Sequence, residues 1–139
     1  MMKHTILILF LFLSLLCHGQ SYKFFTTDRE LSSSLINKIY QDRNGMIWIA
    51  TEDGLNRYDG AKFITYKHDP ENEYSLCHNY VRVLYEDSKG RLFVGTYNGI
   101  QLYDPETDSF SARAQWEDGK TFDSNIMSIL ERKIGRAHV

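Results

Sequence analysis

Hydrophobic and polar positions divide this chain into two unlike parts. The first is an apolar run from Ile6 to Leu16 behind a short basic start, Met1-Met2-Lys3-His4. Small or polar residues follow it, which is the layout of a secretory signal. The run falls short of the roughly 20 apolar residues that span a bilayer. Cleavage after Gly19 is predicted, so that residues 1–19 are the signal and Gln20 is the new terminus. A lipid anchor on Cys17 or an uncleaved anchor are the alternatives, the first disfavoured because Leu16 is not small. All three place the remainder outside the cytoplasm.

Beyond Gln20 the apolar residues come in short β-prone clusters cut by Gly, Asp and Asn. Met46–Thr51 and Arg91–Thr96 are apolar on both faces, as a strand buried on both sides requires. Asp42-Arg-Asn-Gly45 and Asp87-Ser-Lys-Gly90 precede them as turns, Asp bonding the backbone ahead and Gly supplying positive φ. Glu52-Asp53-Gly54 and Tyr97-Asn98-Gly99 follow as hairpin turns of the Asp-Gly and Asn-Gly kind. Leu55–Tyr58 and Ile100–Tyr103 return, and Phe63–Tyr66 and Ser109–Ala112 form an outer strand. With Ile36–Tyr40 or Val81–Tyr85 in front, each cluster set contains four strands.

These two sets are copies of one another. Ile39–Asp59 shifted by 45 residues meets Leu84–Asp104 with 7 of 21 positions identical, among them Asp42/Asp87, Gly45/Gly90, Thr51/Thr96, Gly54/Gly99 and Tyr58/Tyr103. The same shift carries Val81, Leu84 and Glu86 onto Ile126, Ile129 and Glu131, so a third copy begins. Four short antiparallel strands every 45 residues is the arithmetic of a β-propeller blade. The predicted fold is therefore all-β: about two and a half blades over residues 20–132, with repeats at about 31–75 and 76–120 and the start of a third at 121–132. A β-sandwich gives no reason for the self-match. In this frame Trp48 and Phe93 share a slot and are expected to pack between neighbouring blades. Ala50 and Gly95 share a crowded position near the axis. Thr51 and Thr96 are expected to satisfy backbone groups at a strand end, and Asp59 and Asp104 to cap a turn.

The pattern Gly45-x-Ile47-Trp48-Ile49-Ala50-Thr51-x-x-Gly54-Leu55-x-x-Tyr58-Asp59, with Leu31 and Ile36-x-x-Ile39-x-x-Asp42 ahead of it, closely resembles the two-component regulator propeller repeat. The resemblance covers about Tyr22 to Arg132. It implies the periplasmic N-terminal region of a hybrid two-component sensor histidine kinase. By the same resemblance the full-length protein would carry two seven-bladed propellers, a small β-sandwich, a transmembrane helix and a kinase, often with a receiver and a DNA-binding region. It would be membrane-anchored and homodimeric, and its ligand a small molecule or oligosaccharide from polysaccharide breakdown. Phe93 and Gly95 depart from the repeat's usual tryptophan and alanine. The end of the chain, Lys133-Ile-Gly-Arg-Ala-His-Val139, does not continue the third repeat and resembles the translation of a sequencing-adapter tail, so residues 133–139 are expected to be non-native.

Charge and composition narrow the function. Hydrophobic residues make up 42% and charged residues 24%, ordinary for a globular protein. Between Gln20 and Arg132 there are 13 Lys and Arg against 18 Asp and Glu, a net charge of −5 with the signs mixed, which argues against a nucleic-acid partner. Once the signal departs Cys77 cannot make an internal disulfide, and it is expected to be a small buried or half-buried side chain. His68 and His78 stand ten residues apart without a second ligand at metal spacing. Asp42-Arg-Asn-Gly45 lacks the oxygen ligands of a calcium loop. No phosphate loop, Cys-x-x-Cys or nucleophile elbow occurs. No catalytic, cofactor or metal residue is therefore assigned. Tyr97, Asn98, Tyr103, Trp116 and the loop His68–Tyr74 have the side chains that suit a sugar. The leading expectation is a ligand-sensing propeller; an extracytoplasmic lyase or glycosidase and a protein-interaction propeller are the alternatives. Two and a fraction blades leave a blade face and strand edges uncovered, so the chain by itself is expected to aggregate or stay molten.

Overall fold

The computed structural model describes residues 22–27 and 30–111, and the backbone of 115–116 and 137–138. The signal (1–19), the start of a third repeat (121–132) and most of the tail lie outside the described residues. Ten strands are described: β1 (Ile36–Gln41), β2 (Ile47–Thr51), β3 (Gly54–Tyr58), β4 (Phe63–Tyr66), β5 (Val81–Glu86), β6 (Leu92–Thr96), β7 (Gly99–Asp104), β8 (Ser109–Phe110), β9 (Gln115–Trp116) and β10 (Ala137–His138). They form two antiparallel four-stranded sheets in sequence order, β1-β2-β3-β4 and β5-β6-β7-β8, and a separate β9–β10 pair. No helix occurs among the described residues.

The two sheets repeat each other down to their irregularities. Both first pairs carry a register shift at the same place, between Ile36 and Lys38 and between Val81 and Val83. Both inner turns close on Asp: its Oδ1 accepts N–H bonds from Asn44 and Met46 in one copy and from Lys89 and Arg91 in the other. Gly45 and Gly90 end these turns at φ 84° and 85°, left-handed values that favour glycine. Because the Met46 and Arg91 amides are spent on the aspartate, the second strand starts one residue later than the expected Met46 and Arg91. The outer strand of the second sheet is also shorter than Ser109–Ala112. The Ser111 hydroxyl, not its carbonyl, accepts the Leu102 N–H, and the carbonyl accepts from Gln101 instead.

Strand alternation sorts the side chains into two faces per sheet. Register places Trp48, Ala50, Leu55 and Tyr66 on one face of the first sheet. Leu84, Leu92, Val94, Tyr103 and Phe110 line the opposing face of the second, and the two sets, with Leu76 and Val81, form one buried core. Trp48 is 1% exposed and lies edge-on to Tyr103 at 4.7 Å, so the expected role between blades holds for it. Phe93 is buried on the other face of the second sheet, so its expected role between blades falls on residues outside those described. The inner strands β1 and β5 lie side by side, and β2 also meets β5. Two wedge-shaped sheets thus stack face to face about inner strands, as propeller blades do.

Replacing Trp by Phe in the second blade shifts a partner. In the first blade the Trp48 indole N–H donates to Asp42 Oδ2 at 2.8 Å. Phe93 cannot donate, and Arg91, in the slot of Met46, takes over with Nε 2.7 Å from Asp87 Oδ2. The Arg91 guanidinium carbon then lies 5.3 Å from the Phe93 ring centroid.

Candidate functional site: the loop-bearing face

Chain direction assigns the turns to the two ends of the blades. The short turns after β1, β3, β5 and β7 share one end. Residues 30–35, 52–53, 67–80 and 97–98 share the other, which carries the long connection between the two described blades.

That connection is shaped by its own side chains. Asp69 Oδ1 accepts from the Glu71 N–H and Asn72 Oδ1 from the Tyr74 N–H, two Asx turns in succession. Ser75 Oγ accepts from the Asp69 N–H. Gln101, fully buried on β7, anchors the loop's end: its Oε1 accepts from Cys77 N–H at 2.7 Å and its Nε2 donates to the Ser75 carbonyl at 3.0 Å. The first blade holds its own lead-in the same way, Asn56 Oδ1 accepting from Ser32 N–H at 3.1 Å. The strand-end threonines complete each slot. Thr51 Oγ1 donates to the Gly54 carbonyl and meets Ser32 Oγ; Thr96 Oγ1 donates to the Gly99 carbonyl and meets Cys77 Sγ. Ser32/Cys77, Thr51/Thr96 and Asn56/Gln101 all lie 45 residues apart. The 45-residue shift relates all three pairs, but only Thr51/Thr96 stood out: Asn56/Gln101 is similar rather than identical, and Ser32/Cys77 lies ahead of the matched stretch.

Further bonds tie the two blades together on this face. Asn79 accepts the Gly54 N–H on its carbonyl at 2.7 Å and donates its amide to Asp53 Oδ1 at 3.1 Å. The Tyr80 hydroxyl donates to Glu52 Oε1 at 2.9 Å. The result is a fixed surface with an open hollow of about 440 Å³, whose walls include His68, Asp69, Asn72, Glu73 and Asn98. Beside it the Tyr97 ring, 53% exposed, lies 5.5 Å from the His78 ring.

The sugar-suited residues are therefore split. Tyr97, Asn98 and the loop His68–Tyr74 stand on this face. Tyr103 does not: it is 7% exposed and sits in the seam between blades, so it is corrected to a packing residue. The Trp116 side chain lies outside the described residues. His68 Nδ1 is 2.6 Å from the Leu76 carbonyl, and His78 Nδ1 accepts the Tyr80 N–H, so both histidines shape loops. Cys77 is half-buried. Among the described residues, no three His, Cys, Asp or Glu side chains gather to hold a metal.

The strongest electrostatic perturbations among the described residues lie in the seam between the blades. Asp108 Oδ1 accepts from Arg57, Tyr66 and Tyr103 at 2.8, 2.6 and 2.7 Å, and Arg57 also bonds the Tyr103 hydroxyl. Burial works against the Asp108 charge, but the two phenols and the guanidinium outweigh it and hold the carboxyl below its usual range. Burial first, then the bond to Asp108, pushes Tyr103 up to about 12 and Tyr66 higher still. Farther in, Arg43 Nε lies 2.6 Å from Glu86 Oε1, and the Tyr40 hydroxyl donates to Glu86 Oε2. These groups clamp blade to blade.

The geometry defines a pair of propeller blades with a polar, loop-built face. Residues 30–53 and 75–98, one stretch in each blade, match the family described as Two component regulator propeller. The chain is 32% identical, over 74% of its length, to the extracellular domain of BT3049, assigned to a hybrid two component system of B. thetaiotaomicron, with a TM-score of 0.62. It is 26% identical, over 69%, to the extracellular domain of BT4673 of the same organism, assigned to a one component system, with a TM-score of 0.56. A further similar protein is Histidine kinase P4 of Formosa agariphila, 40% identical over 73 residues, half of this chain. The chain spans 5% of that kinase and 14 to 15% of the solved domains.

Proposed function

We propose that these blades belong to the extracytoplasmic sensing region of a two-component sensor kinase. In this reading they contribute to recognition of a carbohydrate-derived ligand and take no part in catalysis. The observation that carries the proposal is the coincidence of two family repeats with 32% identity to the extracellular domain of a hybrid two component system. The apolar run behind a basic start supports export to the periplasm, with the kinase across the inner membrane. The loop-bearing face supports the ligand class: Asp69, Asn72, Glu73 and Asn98 offer partners for hydroxyls, and the exposed Tyr97 ring offers a flat face to a sugar. Signalling then follows from a ligand that binds one arrangement of a homodimer better than another and shifts the population toward it.

Two measurements test this. The complete reading frame should encode a transmembrane helix followed by a histidine-kinase core; a stop soon after the last blade would overturn the sensor assignment. Thermal shift of the complete exterior region against a panel of oligosaccharides should give a response, and Tyr97→Ala should diminish it. No response to any sugar would overturn the ligand class.

A further inference from the structure

The hollow on the loop-bearing face has two walls from different parts of the chain. One is residues 69–75 of the long connection; the other is Asn98, in the turn between β6 and β7. The first wall is closed on itself. Ser75 Oγ accepts from the Asp69 N–H and donates to the Asp69 carbonyl, and the Ser75 N–H donates to the Asn72 carbonyl. Its shape is therefore local, while its position is set by what holds residues 74–77. The Tyr74 carbonyl accepts the Phe110 N–H at 2.9 Å, and the Leu76 carbonyl lies 2.6 Å from His68 Nδ1. The Ser75 carbonyl accepts from Gln101 Nε2 at 3.0 Å, and the Cys77 N–H donates to Gln101 Oε1 at 2.7 Å.

The second wall is tied to the same corner. The Asn98 N–H donates to Thr96 Oγ1 at 3.1 Å, and that hydroxyl meets Cys77 Sγ at 3.1 Å. Gln101 stands on β7 at the floor between the walls, 1% exposed. Its other Nε2 hydrogen goes to the Ser111 carbonyl at 2.9 Å, so both of its donors are spent inside the protein. It acts on the hollow through the backbone it grips. Blade one has Asn56 in this slot. Asn56 likewise accepts the lead-in amide, from Ser32, but spends its Nδ2 on the Ser32 hydroxyl at 2.8 Å and the Ile49 carbonyl at 3.4 Å. Gln101, one methylene longer, reaches past the Cys77 amide to the Ser75 carbonyl.

We infer that Gln101 is the positioning residue of the hollow: its length sets the separation of residues 69–75 from Asn98, and with it the width offered to a sugar ring. This rests on the reading that the hollow takes a carbohydrate. Binding groups must stand within about 0.5 Å of their productive geometry, and one methylene is about 1.5 Å. Gln101→Asn is therefore the informative replacement, because it installs the residue that blade one already carries and withdraws the grip on Ser75.

The complete exterior region, wild type beside Gln101→Asn, is titrated with a panel of neutral, uronic and amino-sugar trimers. The variant should keep its melting temperature within about 3 °C while binding of the responding trimer weakens at least about 10-fold. Unchanged affinity would overturn the spacing role and leave the carbohydrate reading standing. A melting temperature that falls in step with affinity would overturn it as well, by showing a fold defect. Silence of the wild type toward every trimer would remove the carbohydrate reading and this inference with it. Amide hydrogen exchange on the wild type needs no variant. Residues 74–77 should be protected before sugar is added and change less than about 2-fold on binding. Protection that arises only with sugar, about 10-fold or more, would show that the ligand orders the wall, and would overturn the inference.

Discussion

The exchange of Trp48 for Phe93 between blades gives a prediction in which the protein supplies its own control. Trp48→Phe removes an indole N–H that donates to Asp42 Oδ2 at 2.8 Å, in a position 1% exposed. A hydrogen bond to a charged group contributes about 1.5–3 kcal/mol. The smaller ring buries roughly 40 Å² less apolar surface, about 1 kcal/mol at 25 cal/mol per Å². The single variant should lose about 3 kcal/mol. Blade two shows the remedy, since Arg91 reaches Asp87 Oδ2 at 2.7 Å and packs by Phe93. Met46→Arg places the same side chain in the same slot. In the wild-type background it gains little, because Trp48 already occupies Oδ2, and it gives up some packing of the half-buried Met46. In the Trp48→Phe background it acquires a partner. Urea denaturation of the complete exterior region in four forms, with equal m values, measures the coupling. A favourable coupling of about 1 kcal/mol is expected between the two substitutions. Coupling within ~0.5 kcal/mol of zero would refute the claim that the aspartate's second oxygen is the shared element of the two designs.

Other outcomes follow from the same coordinates. Gly54→Ala should cost on the order of 1–3 kcal/mol, because φ is 131° and an added Cβ would lie 2.8 Å from the Tyr66 carbonyl; Gly45→Asn, with open space around it, should cost far less, and equal losses would contradict the assignment. Cys77→Ser should change stability by less than about 1 kcal/mol, since Ser32 makes the equivalent bond to Thr51; a large loss in chemical denaturation would show the slots to be unlike. Asp108 has a folded value below its unfolded one, so its contribution is present above the ordinary carboxylate range near 4 and is lost as pH falls through the lower folded value. Asp108→Asn should flatten the acid limb of stability against pH, and an unchanged limb would argue against the clamp. Tyr66 and Tyr103 have raised values, so their contribution is intact below about pH 10 and is lost above it; ultraviolet titration should find Tyr103 ionising near about 12, and ionisation of every tyrosine near 10 would contradict the seam's geometry.

What the residue order determined is the local part. Asp-x-x-Gly turns, Asp-Gly and Asn-Gly hairpins and doubly apolar strands are short-range features, and each is set by the backbone freedom of one or two residues. The 45-residue self-match then made the unit a blade, since a repeated wedge cannot bury its faces without copies of itself. Trp48, Thr51 and Asp59 were assigned rightly because their partners lie within one repeat or follow from it.

Only the tertiary structure decided which side of each blade meets its neighbour, and with that the fate of Tyr103. A tyrosine at a strand end reads alike whether it faces solvent or a seam. Its burial depends on Trp48 and Tyr66, which lie 55 and 37 residues away. The polar slot of Ser32, Asn56, Cys77 and Gln101 stayed hidden for a related reason: Asn and Gln, or Ser and Cys, are interchangeable only once their shared backbone partners are seen. Phe25 and Lys23 were unremarkable in sequence because they lie outside the repeat. Phe25 nonetheless lies 5.0 Å from the Tyr58 ring and 4.9 Å from Phe63, and Lys23 donates to the Tyr58 hydroxyl, contacts across more than thirty residues, a distance over which chain order carries no geometric information until the fold closes it.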